Sequence, residues 1–177
     1  MSFWKNHLIK TTKHLIIGID PGLNKTGWGV TNVHNGKDIC IANGFISTNF
    51  KKPLSDRLSL IYSSLGQILD EFKPNYAAVE KIFMNTNPES TLKLGQARGV
   101  IFLALSNRKI PIGEYSPNQI KKTLVGFGHA SKIQMMKMLD QLVPNIKIEN
   151  EDAGDAIAIA LCHSRYILNS MKNKNDC

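Results

Sequence analysis

Three apolar stretches near the start of the chain predict β-strands. Residues 14–20, HLIIGID, form an almost unbroken aliphatic run, which is typical of a strand covered on both faces. The segments GWGVTNV (27–33) and DICIANGFIST (38–48) follow, and Asn35-Gly36 between them favours a tight hairpin. The pattern therefore predicts that the domain opens with three antiparallel strands.

Helices and strands alternate along the rest of the chain. Residues 55–74 have apolar side chains at helical spacing and end at a proline, and residues 76–80, YAAVE, predict a short buried strand. A second helix begins with Asn87 as N-cap and Pro88 at its first position, and it runs to about Asn107. The remaining elements are a strand over 110–115, a short helix opened by a Ser-x-x-Gln capping box at 116–119, and helices over 131–142 and 151–168. This order predicts an α/β fold, a mixed five-stranded sheet flanked by helices.

The overall composition is that of one globular domain. The 177 residues are 42% hydrophobic and 20% charged, and no apolar run approaches the roughly 18 residues of a membrane span. We expect a basic, disordered N-terminal extension over 1–13, a domain over 14–170 and a C-terminal tail over 171–177. The extension lacks the apolar core of a secretory signal, although its basic, acid-free character leaves an organelle-targeting role open.

The cysteines indicate the redox compartment of the protein, and the net charge indicates its class of partner. Cys40, Cys162 and Cys177 are an odd number without C-x-x-C spacing, which predicts neither a disulfide framework nor a zinc site and fits a reducing cytoplasm. Twenty-two Lys and Arg against fourteen Asp and Glu give a formal charge of +8. This excess favours a polyanionic partner, nucleic acid first, although many small basic proteins are merely soluble.

Four acids lie in apolar surroundings despite this basic composition. Asp20 and Glu80 end the first and fourth predicted strands, so their carboxylates meet at one sheet edge if those strands are neighbours. Asp152 and Asp155 are three residues apart, which places them on one face of the last helix. Simpler interpretations remain: Asp20 could cap its own Pro-Gly turn, and the helical acids could complement the helix dipole.

Four neighbouring carboxylates need a cation. Two of them about 4 Å apart repel by about 4 kcal/mol at an effective dielectric constant of 20. Oxygen ligands without histidine or cysteine beside them suit magnesium, and manganese could substitute. Two such ions about 4 Å apart would stabilise the attacking and leaving oxygens of a phosphodiester displacement.

The motifs, taken together, resemble the RuvC family of Holliday-junction resolvases, which have an RNase H-like fold. The similarity rests on IIGIDPG with TGWGV, AAVEKIFM, STLKLGQARGV, QIKKTLVGFGHASK and EDAGDAIAIALCH, in the family's order from residue 14 to about 165. It implies a cytoplasmic, homodimeric, magnesium-dependent endonuclease that resolves four-way DNA junctions by paired symmetric nicks in recombination and repair. It also implies a branch-migration helicase complex, RuvA and RuvB, as partner. The family's four catalytic, metal-binding acids fall on Asp20, Glu80, Asp152 and Asp155.

The resemblance suggests three further DNA-binding residues. Phe83 matches an aromatic that stacks at the opened centre of the junction, although a phenylalanine just after a strand could equally be a core residue. Lys121 and Lys132 match catalytic lysines near the scissile phosphate, where a fixed cation stabilises developing charge; the alternative is plain solvated lysine. The segment LKLGQARG, residues 92–99, resembles the family's dimer helix, and ordinary helix-sheet packing is the alternative.

Three other functions compete with resolution of junctions. GIDPG with a later TG also resembles the phosphate loop of actin-like ATPases and sugar kinases, but those enzymes need two domains around the nucleotide. A non-catalytic junction-binding module would keep the basic surface without needing four intact acids. RuvC-like nucleases of ribosomal RNA maturation would not explain VEKIFM and LKLGQARG.

Overall fold

A computed structural model of the chain describes residues 14–34, 37–82, 87–144 and 146–175. Its strands are β1 (Leu15–Asp20), β2 (Lys25–His34), β3 (Lys37–Ser47), β4 (Tyr76–Glu80) and β5 (Ile112–Tyr115). Its helices are α1 (Leu54–Phe72), α2 (Pro88–Ser106), α3 (Pro117–Val125), α4 (Lys132–Leu142) and α5 (Glu151–Asn175). The sheet order is β3-β2-β1-β4-β5, antiparallel between the first three strands and parallel between β1, β4 and β5. The predicted mixed five-stranded sheet with flanking helices is confirmed.

The element ends follow local signals in the sequence. Asn87 caps α2 by accepting a hydrogen bond from the backbone of Ser90, and Ser116 forms both bonds of the predicted capping box with Gln119. The last helix continues to Asn175, beyond the predicted end at residue 168. Residues 35–36 of the predicted hairpin and the extension 1–13 lie outside the described residues. None of the described helices is long and apolar enough to cross a membrane.

The sheet separates two hydrophobic cores because side chains alternate along its strands. Ile17 and Ile19 of β1, with Ala77 and Val79 of β4, pack towards α1 and α2. Ala78 faces the opposite core, which is formed largely by α3, α4 and α5. The residues that end β1 and β4 continue this alternation, so their side chains project towards the α5 face.

Helix α5 lies directly on β1 and β2 because glycines remove the side chains between them. A Cβ atom added at Gly18 would lie 2.0 Å from the carbonyl oxygen of Ala156 and 2.6 Å from the nitrogen of Ala160. A Cβ at Gly27, the β2 partner of Asp20, would lie 2.0 Å from the carbonyl oxygen of Asp152. Only glycine permits this approach, which brings the first turn of α5 over the carboxyl end of β1.

Candidate active site

The strand ends bring the first two predicted acids together. β1 and β4 are parallel neighbours, and Ile19 pairs with Val79, so Asp20 and Glu80 follow side by side at the same sheet edge. Both are half-buried, and the alternation of the strands directs them to the α5 face. The condition that the first and fourth strands are neighbours is therefore fulfilled by β1 and β4.

The first turn of α5 adds the other two acids. Asn150 caps this helix: its side-chain oxygen accepts from the backbone nitrogen of Ala153 at 2.8 Å, and its amide nitrogen donates to Asp152 Oδ2 at 2.7 Å. Asp155 lies one turn further along, and Asp152 and Asp155 both act on the charge of Asp20. The helix-dipole interpretation does not account for this convergence, which joins both ends of the chain at one site.

The environment of the site disfavours the charged forms of Asp20, Glu80 and Asp155 and raises the pKa of each. Burial, together with the negative charges of Glu80, Asp155 and Asp152, raises the pKa of Asp20 to about 8. Burial also raises the pKa of Glu80, against a hydrogen bond from Asp20 and the positive charge of Lys121. The raised pKa favours the protonated form of Asp20 near neutral pH, and the Asp20 hydroxyl then donates a hydrogen bond to the Glu80 carboxylate. The positive charges near the site therefore do not fully offset the burial and mutual repulsion of its acids.

The two predicted lysines lie beside these acids. Lys132 Nζ is 3.0 Å from Glu151 Oε2 and 3.2 Å from Asp155 Oδ2. Burial raises the pKa of Asp155, and the hydrogen bond from Lys132 opposes that rise. Lys121 and Lys132 both line a cavity of about 220 Å³, and so do Glu80 and Asp155. Carboxylates and cations therefore line the same cavity, which suits a phosphate group held next to a cation-binding site.

The donor set fits a divalent cation by its chemistry, although the side chains are paired with other groups. Among the described residues, no three carboxylate, imidazole or thiol groups already converge as a coordination shell. Asp152 is engaged with Asn150 and Asp155 with Lys132. The acids are thus assembled at one site, where two of them already form hydrogen bonds with other side chains. Phe83, the predicted stacking residue, lies outside the described residues.

Arg57 supports the loop that follows Asp20, and the sequence analysis did not identify it. Its buried guanidinium donates to Thr48 Oγ1 at 2.9 Å, to the carbonyl oxygen of Leu23 at 3.2 Å and to Asn24 Oδ1 at 2.6 Å. This network joins the β1–β2 loop to the end of β3. An arginine near the start of an amphipathic helix looks like a surface residue, so its spacing gave no signal of this role.

A family model for crossover junction endodeoxyribonuclease RuvC matches residues 16–163 of the chain. The chain belongs to the RuvC family. The RuvC of Nitrobacter hamburgensis is 46% identical over 151 residues, which cover 85% of this chain and 89% of that protein. The RuvC of Wolbachia sp. subsp. Drosophila simulans is 45% identical over 150 residues, which cover 84% of this chain and 93% of that protein.

Solved structures agree with this membership. RuvC of T. thermophilus in complex with a Holliday junction substrate matches with a TM-score of 0.82 and 30% identity, over 87% of this chain and 94% of that one. The yeast mitochondrial Holliday junction resolvase Ydc2 matches with a TM-score of 0.70 at 16% identity, over 98% and 88% of the two chains, and this likeness shows the fold alone. The chain therefore has the RNase H-like fold of RuvC proteins.

Proposed function

We propose that this RuvC-family chain resolves four-way DNA junctions in recombination and repair by metal-assisted hydrolysis that nicks two opposing strands symmetrically. The observation that carries the proposal is that β1 and β4 end on Asp20 and Glu80 at one sheet edge, and that the first turn of α5 brings Asp152 and Asp155 close to them. An all-oxygen cluster of this kind suits hydrolysis of a phosphodiester. The formal charge of +8 and the junction complex of the T. thermophilus relative support DNA as the substrate.

These four carboxylates would hold magnesium, with manganese able to substitute, and two ions in the reactive complex. When bound, such ions supply an activated water and stabilise the charge that develops on the phosphodiester oxygens. Asp20 would lose its proton on loading. Asp152 and Asp155 would turn away from their present hydrogen bonds with Asn150 and Lys132.

Lys121 and Lys132 would hold the scissile phosphate. Both line the cavity next to Glu80 and Asp155, and both can reach a group placed there. Lys132 would exchange its bonds to Glu151 and Asp155 for a phosphate oxygen. A fixed ammonium group at this position stabilises the charge of the transition state more than that of the ground state.

Selectivity for the junction would depend on Phe83. The resemblance to the family supports a role in which its ring stacks on an unpaired base at the opened centre of the junction. A linear duplex has no such base to offer. The proposal for Phe83 rests on the sequence segment EKIFM alone, because residues 83–86 are not among those described.

Paired nicks need two active sites, and α2 favours a homodimer. Leu92 and Leu103 are 65% and 53% exposed, and their spacing places them on the same helix face as Gly95 and Gly99. A Cβ atom added at Gly95 or Gly99 would meet nothing within 4 Å, so this face is open for the backbone of a second copy. The same family resemblance supports a RuvA and RuvB helicase complex as partner and the cytoplasm as the compartment.

A direct cleavage experiment tests the proposed function. The protein is incubated with magnesium and either a synthetic four-way junction or a linear duplex containing the sequence of one arm pair. We expect symmetric nicks on two opposing strands of the junction only, mapped on all four labelled strands. Equal cutting of the duplex would contradict junction selectivity, and tight junction binding without any cutting would identify a non-catalytic binding module.

Asp20→Asn is the matched control. The substitution removes one negative ligand while keeping the shape of the side chain. We expect cleavage to disappear while junction binding in EDTA is retained, since affinity comes from contacts between lysines and phosphates. Loss of binding in equal measure would assign Asp20 a structural role.

A further inference from the structure

A group of lysines and phenylalanines lies on the two strands beyond Asp20 and on the turn that follows them. We call this group, Lys25, Phe45, Phe50, Lys51 and Lys52, the ledge. Phe45 is 39% exposed and Phe50 is 75% exposed. Lys25 Nζ lies 5.5 Å from the ring centroid of Phe45, and Lys51 Nζ lies 6.0 Å from that of Phe50. Two of the ammonium groups thus lie over aromatic rings that still expose apolar surface.

The register of the sheet places the ledge beside the carboxylates. Asp20 pairs with Gly27, and Gly27 pairs with Phe45. Gly27 faces α5, so Phe45 and Lys25, which share its side of the sheet, also lie on the face towards which Asp20 projects. Two strand spacings of about 4.8 Å place Phe45 about 10 Å from Asp20.

The turn that presents Phe50 is fixed by its own hydrogen bonds. The backbone nitrogen of Lys51 donates to Asn49 Oδ1 at 2.9 Å, and that of Lys52 donates to the carbonyl oxygen of Asn49 at 3.0 Å. Arg57 ties Thr48, at the base of this turn, to the loop after Asp20. The turn that carries the exposed ring is therefore connected by hydrogen bonds to the loop that follows Asp20.

The charges of the ledge are not neutralised within the chain. Over the described ranges, no ion pair involves Lys25, Lys51 or Lys52. Asp56, in the first turn of α1, accepts from Ser55 Oγ at 3.2 Å instead. Three free ammonium groups around exposed apolar rings suit a partner that alternates anionic and apolar surface, as phosphates and deoxyriboses do.

We propose that the ledge binds the sugar-phosphate backbone of one junction arm within about three nucleotides of the cut. A distance of about 10 Å spans about three steps of ~3.4 Å along the duplex axis. The lysines bind successive phosphates, and the phenylalanine rings lie against deoxyribose. The ledge thus fixes the register of the arm on the active site. This inference rests on the proposed function and adds a second contact region to it.

The first test measures binding without chemistry. Affinity for a fluorescent four-way junction is titrated in EDTA between 50 and 200 mM salt for wild type, Lys25→Gln and the double variant Lys51→Gln/Lys52→Gln. Each lysine lost should make the log-log salt slope less negative by about 0.9, so about 1.8 for the double variant. Lys37→Gln is the matched control, because this exposed lysine lies at the opposite end of β3, and its slope should equal that of wild type.

The aromatic component is separated by a second pair of variants. Phe50→Ala should weaken binding equally at all salt concentrations without changing the slope, whereas Phe50→Leu should retain most of the affinity through apolar contact. Phe50 is 75% exposed, so neither variant should change the melting temperature. A change of slope on Phe50→Ala would overturn the separate roles given to ring and lysines.

The position of the contact is tested with uncharged phosphates. A single methylphosphonate is placed two or three nucleotides from the cleavage site on either side. At one of these positions the methylphosphonate should weaken junction binding by wild type, but it should not further weaken junction binding by Lys25→Gln. If the ledge variants bind the junction as Lys37→Gln does while wild type still cuts junctions, the proposed role of the ledge is overturned and the proposed function is not. A wild type that fails to cut junctions would overturn the proposed function.

Discussion

Adding one carbon atom at Gly27 tests whether the geometry of the active site depends on the close approach of α5 to the sheet. The substitution Gly27→Ala adds a Cβ atom 2.0 Å from the carbonyl oxygen of Asp152, where ordinary contact begins at 3.4 Å. Because that oxygen belongs to helix backbone, the first turn of α5 must move by about 1.4 Å, since close-packed interiors leave no spare volume. The perturbation thus displaces a proposed metal ligand without altering any charge.

The expected effect on catalysis exceeds the effect on stability. A displacement of about 1 Å at a reacting centre can lower a rate about 100-fold. Overpacking costs about 1–3 kcal/mol, and in a domain of this size each kcal/mol lowers the melting temperature by about 2–4 °C. We therefore expect a folded protein whose single-turnover cleavage of a junction falls by at least about 100-fold. Junction binding in EDTA should stay within a few-fold of wild type.

Gly66→Ala is the matched control for this experiment. Its added Cβ would lie 3.0 Å from Arg108 Nη2, the end of a flexible side chain on the opposite face of the sheet, which can move aside. This variant should cleave junctions at the wild-type rate. If Gly27→Ala also cleaves at the wild-type rate with an unchanged melting temperature, the approach of α5 does not set the geometry of the site.

Three other variants test the electrostatics and the recognition of the site. The pKa of Asp20 is raised from 3.8 to about 8, so folding takes up a proton in this range. The free energy of unfolding of metal-free wild type should therefore fall as the pH rises from about 4 to about 8, by at most about 1.4 kcal/mol per pH unit. Urea unfolding in EDTA should show this loss reduced in Asp20→Asn; an equal pH dependence would refute the shared proton. Lys132→Ala should lower single-turnover cleavage by about 100- to 1000-fold with little loss of metal-free binding, and unimpaired cleavage would return Lys132 to a surface role. Phe83→Ala should impair junction cleavage at an unchanged melting temperature, whereas a destabilised protein with normal cleavage would make Phe83 a core residue.

The strand-borne half of the site followed from local patterns. The apolar run before Asp20 and the short run before Glu80 identify two buried strands, and each ends on an acid in apolar surroundings. The three-residue spacing of Asp152 and Asp155 is likewise visible in the sequence. What remained conditional was whether the two strands are neighbours, which is decided by packing over a separation of 60 residues.

The supporting contacts could not be predicted for the same physical reason. Gly18 and Gly27 look like ordinary strand glycines until α5 is placed on them, and these contacts join positions more than 100 residues apart. The Lys132–Glu151 pair likewise joins two different helices. Such contacts leave no periodicity in the sequence, because periodicity records only which face of an element is buried.

The division of the four acids between the sheet and α5 affects what a partly opened molecule can do. Local unfolding that detaches the first turn of α5 would remove Asp152 and Asp155 together, yet leave Asp20 and Glu80 on an intact sheet. The ledge would also remain, because β2, β3 and α1 hold it. With the ledge in place, such an opened molecule would still bind DNA but could not cleave it. Amide hydrogen exchange in the first turn of α5 would therefore measure how often the DNA-bound protein is in this inactive state.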